Sequence, residues 1–264
     1  APSGARIQGR AVVKAAFEIA AKFRSQIARG ELRAGMPLPV ENELVARLGV
    51  SKAVVREALR ILETEGLVEV RRGLGGGPRV RHPSISEAAH AMGVYLQIGD
   101  VPVLDVWEAR DRIVSGAVHG LASNPGGHDL VPFEHAVWGL AAVVGDLEAY
   151  YPRLIDVGEI AVKVAGNQTE HVLVRSLRHI IGAELEAATR AVDNIERAVD
   201  VEGEVTHAWI DVLRHIQAGK SKEAVLAYSR QADAIRNGMA QLIGEATVID
   251  VFAAPSIANS HLDH

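Results

Sequence analysis

The 264-residue chain contains no cysteine. That excludes a disulfide framework, a thiolate nucleophile and a zinc knuckle, and it fits a reducing cytoplasm. No window approaches the roughly 18 uninterrupted apolar residues that a membrane helix needs, so no membrane partner is expected. The opening stretch, Ala1 to Arg10, lacks the apolar core of a secretory signal. These absences together lead to the expectation of a cytoplasmic protein. Catalytic signatures are missing as well: there is no Gly-x-Ser-x-Gly elbow and no His-Glu-x-x-His zinc motif. The histidines are scattered, and the pairs His171/His179 and His207/His215 stand two helical turns apart, too far to share a metal. An enzyme is not expected, and neither is a cofactor.

What is present begins with charge. Hydrophobic residues make up 48% and charged residues 23% of the chain, the profile of an ordinary globular protein. A chain of this length holds one large domain or two ordinary ones. Residues 1–82 carry 15 Lys and Arg against 8 Asp and Glu, while residues 83–264 carry 13 against 25. A head of balance +7 on a body of balance −12 suggests that a polyanion is held at one end only.

Periodicity divides the chain at the same place. A basic arm (Arg6, Arg10, Lys14) leads into an amphipathic helix over Val13 to Ala28, with Phe17, Ala20, Ala21, Phe23 and Ile27 at helical spacing. A turn-rich connection, Gly30 to Pro39, precedes a short helix over Glu41 to Leu48, stopped by Gly49. Ser51 is a good N-cap for a second helix reaching about Glu65. Leu67 to Val70 and Arg79 to Arg81 read as strands around a glycine-rich tip at 71–78. Beyond Ser84 the chain reads as helices at 84–97, 101–123, 129–145, 147–165, 168–192, 200–218 and 220–243, followed by a tail at 245–264 that is expected to be flexible. The fold class expected is mainly α: a winged helix-turn-helix at 1–82 and an all-α bundle of six or seven helices at 83–244.

Two short helices and a glycine-tipped ribbon suit double-stranded DNA. The second helix fits the major groove, with Val54, Ala58, Leu59 and Leu62 toward the core and Lys52, Ala53, Arg56 and Arg60 on its other faces. Arg56, one turn past the start, can meet guanine O6 and N7 with two nitrogens; its alternative partners are Glu57 and Glu63. Ser51 and the first amides of the helix can hold a phosphate. The tip glycines admit the backbone closely, with Arg71, Arg72, Arg79 and Arg81 as cations.

The stretch Leu38 to Val68 (Leu-Pro-Val-Glu-Asn-Glu-Leu at its start, Val-Ser-Lys-Ala-Val-Val-Arg-Glu-Ala-Leu in its middle) resembles the signature of the GntR family of bacterial regulators, and Ile27 to Gly35 resembles that family's entry segment. The resemblance implies DNA contacts at Asn42, Lys52, Arg56 and the wing residue Gly73. Three positions depart from the pattern. Asn42 stands where arginine is usual, and Val40 stands where a serine usually caps the helix, at a cost of about 1 kcal/mol. Lys52 also replaces the commoner arginine, so it holds a phosphate without a two-pronged grip.

A helical body behind such a head resembles the FadR subfamily, supported by Val106 to Arg110, Ala165-Gly-Asn167 and Ala218-Gly219. Most members of that subfamily hold a divalent metal on an Asp, a His four residues later and two further His. The matching positions here are Leu154, Gly158, Trp209 and Gln231, a poor donor set, so no metal is expected. Asp156, Glu159 and His207 stand nearby but point elsewhere around their helices. The expected effector is a fatty acid or acyl-CoA-like lipid, lined by Leu154, Gly158, Trp209 and Gln231. Arg110 would anchor its acidic end and Asn167 would hydrogen-bond to it. The plainer alternatives are a surface ion pair of Arg110 with Asp105 or Glu108, an Asn167 that only caps a helix, and a Trp209 that only fills core.

The resulting expectation is a ligand-responsive repressor that binds a palindromic operator as a homodimer, extended by resemblance to a mammalian-cell-entry-type lipid import operon. Its rivals are a metal-dependent sensor of a small carboxylate and a constitutive DNA-binding protein without effector.

Overall fold

The computed structural model describes residues 3–71, 73, 76–190, 195–243 and 247–249. The chain divides into two compact units, Ala1–Ser84 and Ile85–His264. Among the described residues the architecture is mainly helical, with one small sheet.

The first unit contains α1 (Ser3–Ala28), α2 (Glu41–Leu48), α3 (Lys52–Thr64), β1 (Val68–Arg71) and β2 (Gly77–Val80). The helix expected from Val13 starts ten residues earlier, at Ser3, so the backbone of the basic arm is itself helical. No proline interrupts the helix between Ser3 and Ala28. Ala16 and Ala20 are fully buried, and these small side chains bring α1 close to α3. Phe17, one position round the helix from Ala16, is therefore 53% exposed rather than part of the core.

Helix α2 ends at Gly49, whose φ of +66° disfavours any residue with a Cβ. Ser51 then caps α3, its Oγ accepting from the Val54 amide at 3.4 Å. Alternation along α3 buries Val54, Val55, Ala58, Leu59, Ile61 and Leu62. The strands pair antiparallel in the register Val68↔Val80 to Arg71↔Gly77. An extra bridge from Pro37 to Arg79, with Arg79 Nη1 donating to the Gly35 carbonyl at 3.1 Å, ties the ribbon to the segment before α2.

The second unit is a bundle: α4 (Ile85–Ile98), α5 (Val103–Ser123), α6 (Val131–Ala141), α7 (Leu147–Ala165), α8 (Gln168–Arg190), α9 (Ile195–Gln217) and α10 (Ser221–Ile243). Helix α6 is shorter than its apolar run. Asp129 Oδ1 accepts from the Val131 amide, and the chain turns after Ala142. The main core joins α5, α6, α7, α9 and α10 around Trp209, which meets Phe133 and Tyr228 edge to face at 6.0 and 5.3 Å. A second cluster gathers Trp107, Ile155, Ile180 and Ile181.

The tail after α10 departs from the expected flexible segment at Thr247–Ile249. Val248 bridges Pro102, the Val103 amide donates to the Thr247 carbonyl at 2.9 Å, and Ile249 is buried against the Trp107 cluster. The remainder of the expected tail lies outside the described residues. No described helix is long and apolar enough to cross a membrane.

Glu202 on α9 locks the α6–α7 connection. Its Oε2 accepts from the Gly145 amide at 2.8 Å, while its buried Oε1 has no hydrogen-bond partner among the described residues. Burial pushes this carboxyl above the usual range, against the lowering effect of the Gly145 hydrogen bond. The folded chain therefore keeps a proton that the unfolded chain has released, and stability falls as pH rises through the folded value. Glu202→Gln keeps an acceptor for Gly145 and removes the charge. Its melting temperature relative to wild type should be more favourable at about pH 7 than at about pH 4. An identical difference at both values in thermal denaturation would show that Glu202 does not titrate abnormally.

Candidate nucleic-acid interface and bundle interior

The outward face of α3 follows from its inward one. With the aliphatic residues of α3 turned to α1, Lys52, Ala53, Arg56 and Arg60 are exposed. Asn42 is exposed on the first turn of α2, and Gly73 is exposed at the ribbon tip with φ +102°. Arg72 lies outside the described residues. Ser51 Oγ is occupied by the helix cap. Arg79 is partly buried by its link to Gly35.

The partners of these cations differ from those the sequence suggested. Arg60 pairs with Glu57 through Nε and Nη2, and the Arg60 guanidinium holds the Glu57 carboxyl below its usual range. Glu63 Oε1 accepts from the Val70 amide at 3.2 Å and so ties α3 to the ribbon. Arg56 pairs with neither. Its Nε donates to Glu41 Oε2 at 3.0 Å, and the same oxygen lies 3.9 Å from Lys52 Nζ. Sequence reasoning missed Glu41. It stands 15 positions before Arg56, and only the helix-turn-helix angle brings the two together.

Helix α2 begins without a side-chain cap. Val40 is in extended geometry, φ −62° and ψ 158°, which serine adopts readily. Val40→Ser should supply the missing acceptor and raise stability by about 1 kcal/mol, read as a higher denaturant midpoint at unchanged slope. No rise would mean that the helix start is already satisfied.

Within the bundle, Arg110, Leu154, Gly158, Trp209 and Gln231 are all buried, contributed by α5, α7, α9 and α10. Arg110 is 3% exposed, not on the surface: Glu108 pairs with Arg112 instead. The Arg110 guanidinium lies 5.7 Å from the Trp107 ring centroid, donates from Nη2 to the Ile155 carbonyl at 3.2 Å, and meets Asp111 Oδ1 at 3.4 Å. Asp111 Oδ1 also accepts from Tyr228 at 2.7 Å. Burial nonetheless pushes the Asp111 carboxyl above its ordinary value, outweighing Arg110 and the Tyr228 hydroxyl. A Cβ on Gly158 would lie 2.4 Å from Arg110 Nη2, so only glycine admits the guanidinium in this position. Arg110 Nε, Trp107 Nε1, Trp209 Nε1 and Gln231 Oε1 have no hydrogen-bond partner among the described residues.

Asn167 is placed apart from this group. It is exposed, and its Oδ1 accepts from the Thr169 and Glu170 amides at 3.1 and 3.3 Å, which caps α8. Asp156 and Glu159 turn toward α8, where they meet Arg178, Arg175 and His171. His207 Nδ1 lies 2.7 Å from the Gly203 carbonyl of its own helix.

A divalent metal does not fit at Leu154, Gly158, Trp209 and Gln231. Gln231 offers one neutral amide, Leu154 and Trp209 offer no metal donor, and the space beside Gly158 holds a cation.

Residues 15–76 match the model described as bacterial regulatory proteins, gntR family. A candidate L-lactate dehydrogenase operon regulatory protein of Escherichia coli (strain K12) is 39% identical over 113 residues, 41% of this chain and 44% of that protein. The Uxu operon transcriptional regulator of the same strain is 48% identical over 58 residues, 22% of this chain and 23% of that one. The chain thus spans under half the length of these curated relatives. A solved structure, Streptococcus agalactiae GntR, superposes with a TM-score of 0.55 at 18% identity, covering 84% of this chain and 99% of its own. This likeness supports the two-part, mainly helical fold.

Proposed function

We propose that this chain, whose residues 15–76 form a gntR-type winged helix-turn-helix, is a DNA-binding transcriptional regulator that responds to a ligand held in its helical body. The observation that carries the reading is the division of α3. Its aliphatic residues are spent on the core, and Lys52, Ala53, Arg56 and Arg60 are left outward beside a glycine-tipped ribbon. A helix of this kind enters the major groove, where base edges are distinguishable. Asn42, the α3 N-terminus at Ser51 and the wing at Arg72 and Gly73 are the proposed backbone contacts. Relatives named as operon regulators support the same role. Binding as a homodimer to a palindromic operator, with repression as its outcome, completes the proposal.

For the body we propose a FadR-type effector site whose ligand is an amphipathic acid of the fatty acid or acyl-CoA class. Leu154 and Trp209 supply apolar wall, and the unpartnered Arg110 Nε, Trp209 Nε1 and Gln231 Oε1 supply polar anchors. Buried polar groups are ordinarily hydrogen-bonded, and the acidic end of such a ligand would be a partner for these. Genes of lipid uptake or breakdown are the corresponding targets. Asn167 takes no part in this site, because its side chain is committed to the α8 cap.

Two measurements test the proposal. Arg56→Ala should weaken binding to a duplex enriched from a randomised pool by roughly 1–3 kcal/mol and blur its sequence preference; retained affinity and preference at fixed salt would refute the docking of α3. In a thermal-shift screen, acyl-CoAs and fatty acids should stabilise the protein, and Arg110→Gln should lose that response. Stabilisation by a hydroxy acid that a chelator abolishes would replace the lipid reading with a metal-dependent one.

A further inference from the structure

The proposed recognition helix carries its counter-ion with it. Glu41 opens α2, where the helix dipole favours a carboxylate. Lys52 opens α3, where the dipole disfavours a cation and the first turn has no acidic residue of its own. One oxygen of Glu41 serves two of the three cations of α3, at 3.0 Å from Arg56 Nε and 3.9 Å from Lys52 Nζ. The acidic neighbours on α3 do not compete for Arg56, since Glu57 is taken by Arg60 and Glu63 by the Val70 amide.

From this geometry we infer that Glu41 is a positioning and specificity-determining residue for DNA recognition, acting through Arg56. The inference rests on the reading of α3 as the groove-entering helix. By occupying Nε, Glu41 fixes the guanidinium plane and leaves Nη1 and Nη2, the pair that can meet two acceptors on one base edge. The Arg56 side chain remains 63% exposed, so this end is accessible. A base edge is satisfied while the Glu41 contact persists. A phosphate can reach the same two nitrogens of Arg56, but it is repelled by the adjacent carboxylate and must displace Glu41 to take Lys52. Glu41 therefore subtracts from sequence-independent binding and preserves the sequence-dependent part. An exposed pair of this kind contributes little to folding, so Glu41→Gln leaves the head folded.

The full-length chain, as wild type, Glu41→Gln, Arg56→Ala and the double variant, is titrated by fluorescence anisotropy at several salt concentrations. The probes are a duplex enriched by the wild type from a randomised pool and a duplex of random sequence. Glu41→Gln is expected to bind the random duplex roughly 3–10-fold tighter, with a salt slope steeper by about one phosphate contact. The enriched duplex is bound no tighter, so the ratio of the two affinities falls. In the Arg56→Ala background that fall shrinks to less than about threefold, because the residue through which Glu41 acts is gone. A ratio that is unchanged or raised by Glu41→Gln overturns the inference. So does an equal fall in both backgrounds, which would mean that Glu41 touches DNA itself. If the wild type enriches no sequence from the pool, the DNA-binding reading fails first and takes this one with it.

Discussion

The packing of α3 against α1 is the interaction on which the first unit depends. Val55, Ala58 and Leu62 are 2% exposed or less and meet the alanine face of α1, where Ala16 and Ala20 are completely covered. Small residues on one helix and branched ones on the other allow close approach without voids. Once that face is committed, the rotation of α3 about its axis is fixed, and its cations have no inward alternative. The ribbon depends on the same contact, because Val68 and Val80 close the core beneath α3 and Glu63 reaches the Val70 amide. The outward presentation of the α3 cations is thus a by-product of apolar packing, not of the charges themselves.

The bundle is organised around a cost instead of a gain. A guanidinium taken out of water is expensive unless its donors are met, and a glycine inside a helix costs about 1 kcal/mol relative to alanine. The body accepts both in one place: Arg110 is buried and Gly158 makes room for it. The Ile155 carbonyl, Asp111 and the Trp107 face offset part of the penalty, yet Nε has no hydrogen-bond partner among the described residues. Hydrophobic residues of the same volume would have filled the space with less loss.

Much of this was legible in the sequence because periodicity reports burial. The alternation along 52–64 placed Val54, Ala58, Leu59 and Leu62 inside, and the seven helical segments of the body follow the breaks at 124–127, 166–167 and 219. Contacts that join distant positions were not legible. Nothing in the spacing of Glu41 and Arg56 distinguishes that pair from the nearer Glu57 and Glu63. Arg110 could be read as a surface or an interior residue, since charged side chains on helices are ordinarily exposed and its burial depends on the absent side chain at 158. The ordered strand-like contact of Thr247–Ile249 was hidden for another reason: three residues that pair with 101–103 leave no periodic trace.

Charge segregation takes on a sharper meaning beside the Glu41 contact. The chain as a whole is acidic, at −5, and only the head is basic. Long-range attraction to a polyanion is therefore weak for the molecule as a whole, and binding has to be won by short-range presentation of a few side chains. A head with unopposed cations would compensate by gripping phosphates indiscriminately, because that attraction carries no sequence information. Pairing Lys52 and Arg56 with a single carboxylate works in the opposite direction. On the proposed docking of α3, it lowers the indiscriminate component at that helix and leaves the remaining cations of the head to supply approach. Selectivity on this scaffold then comes from how few charges on α3 are free, rather than from how many the head contains.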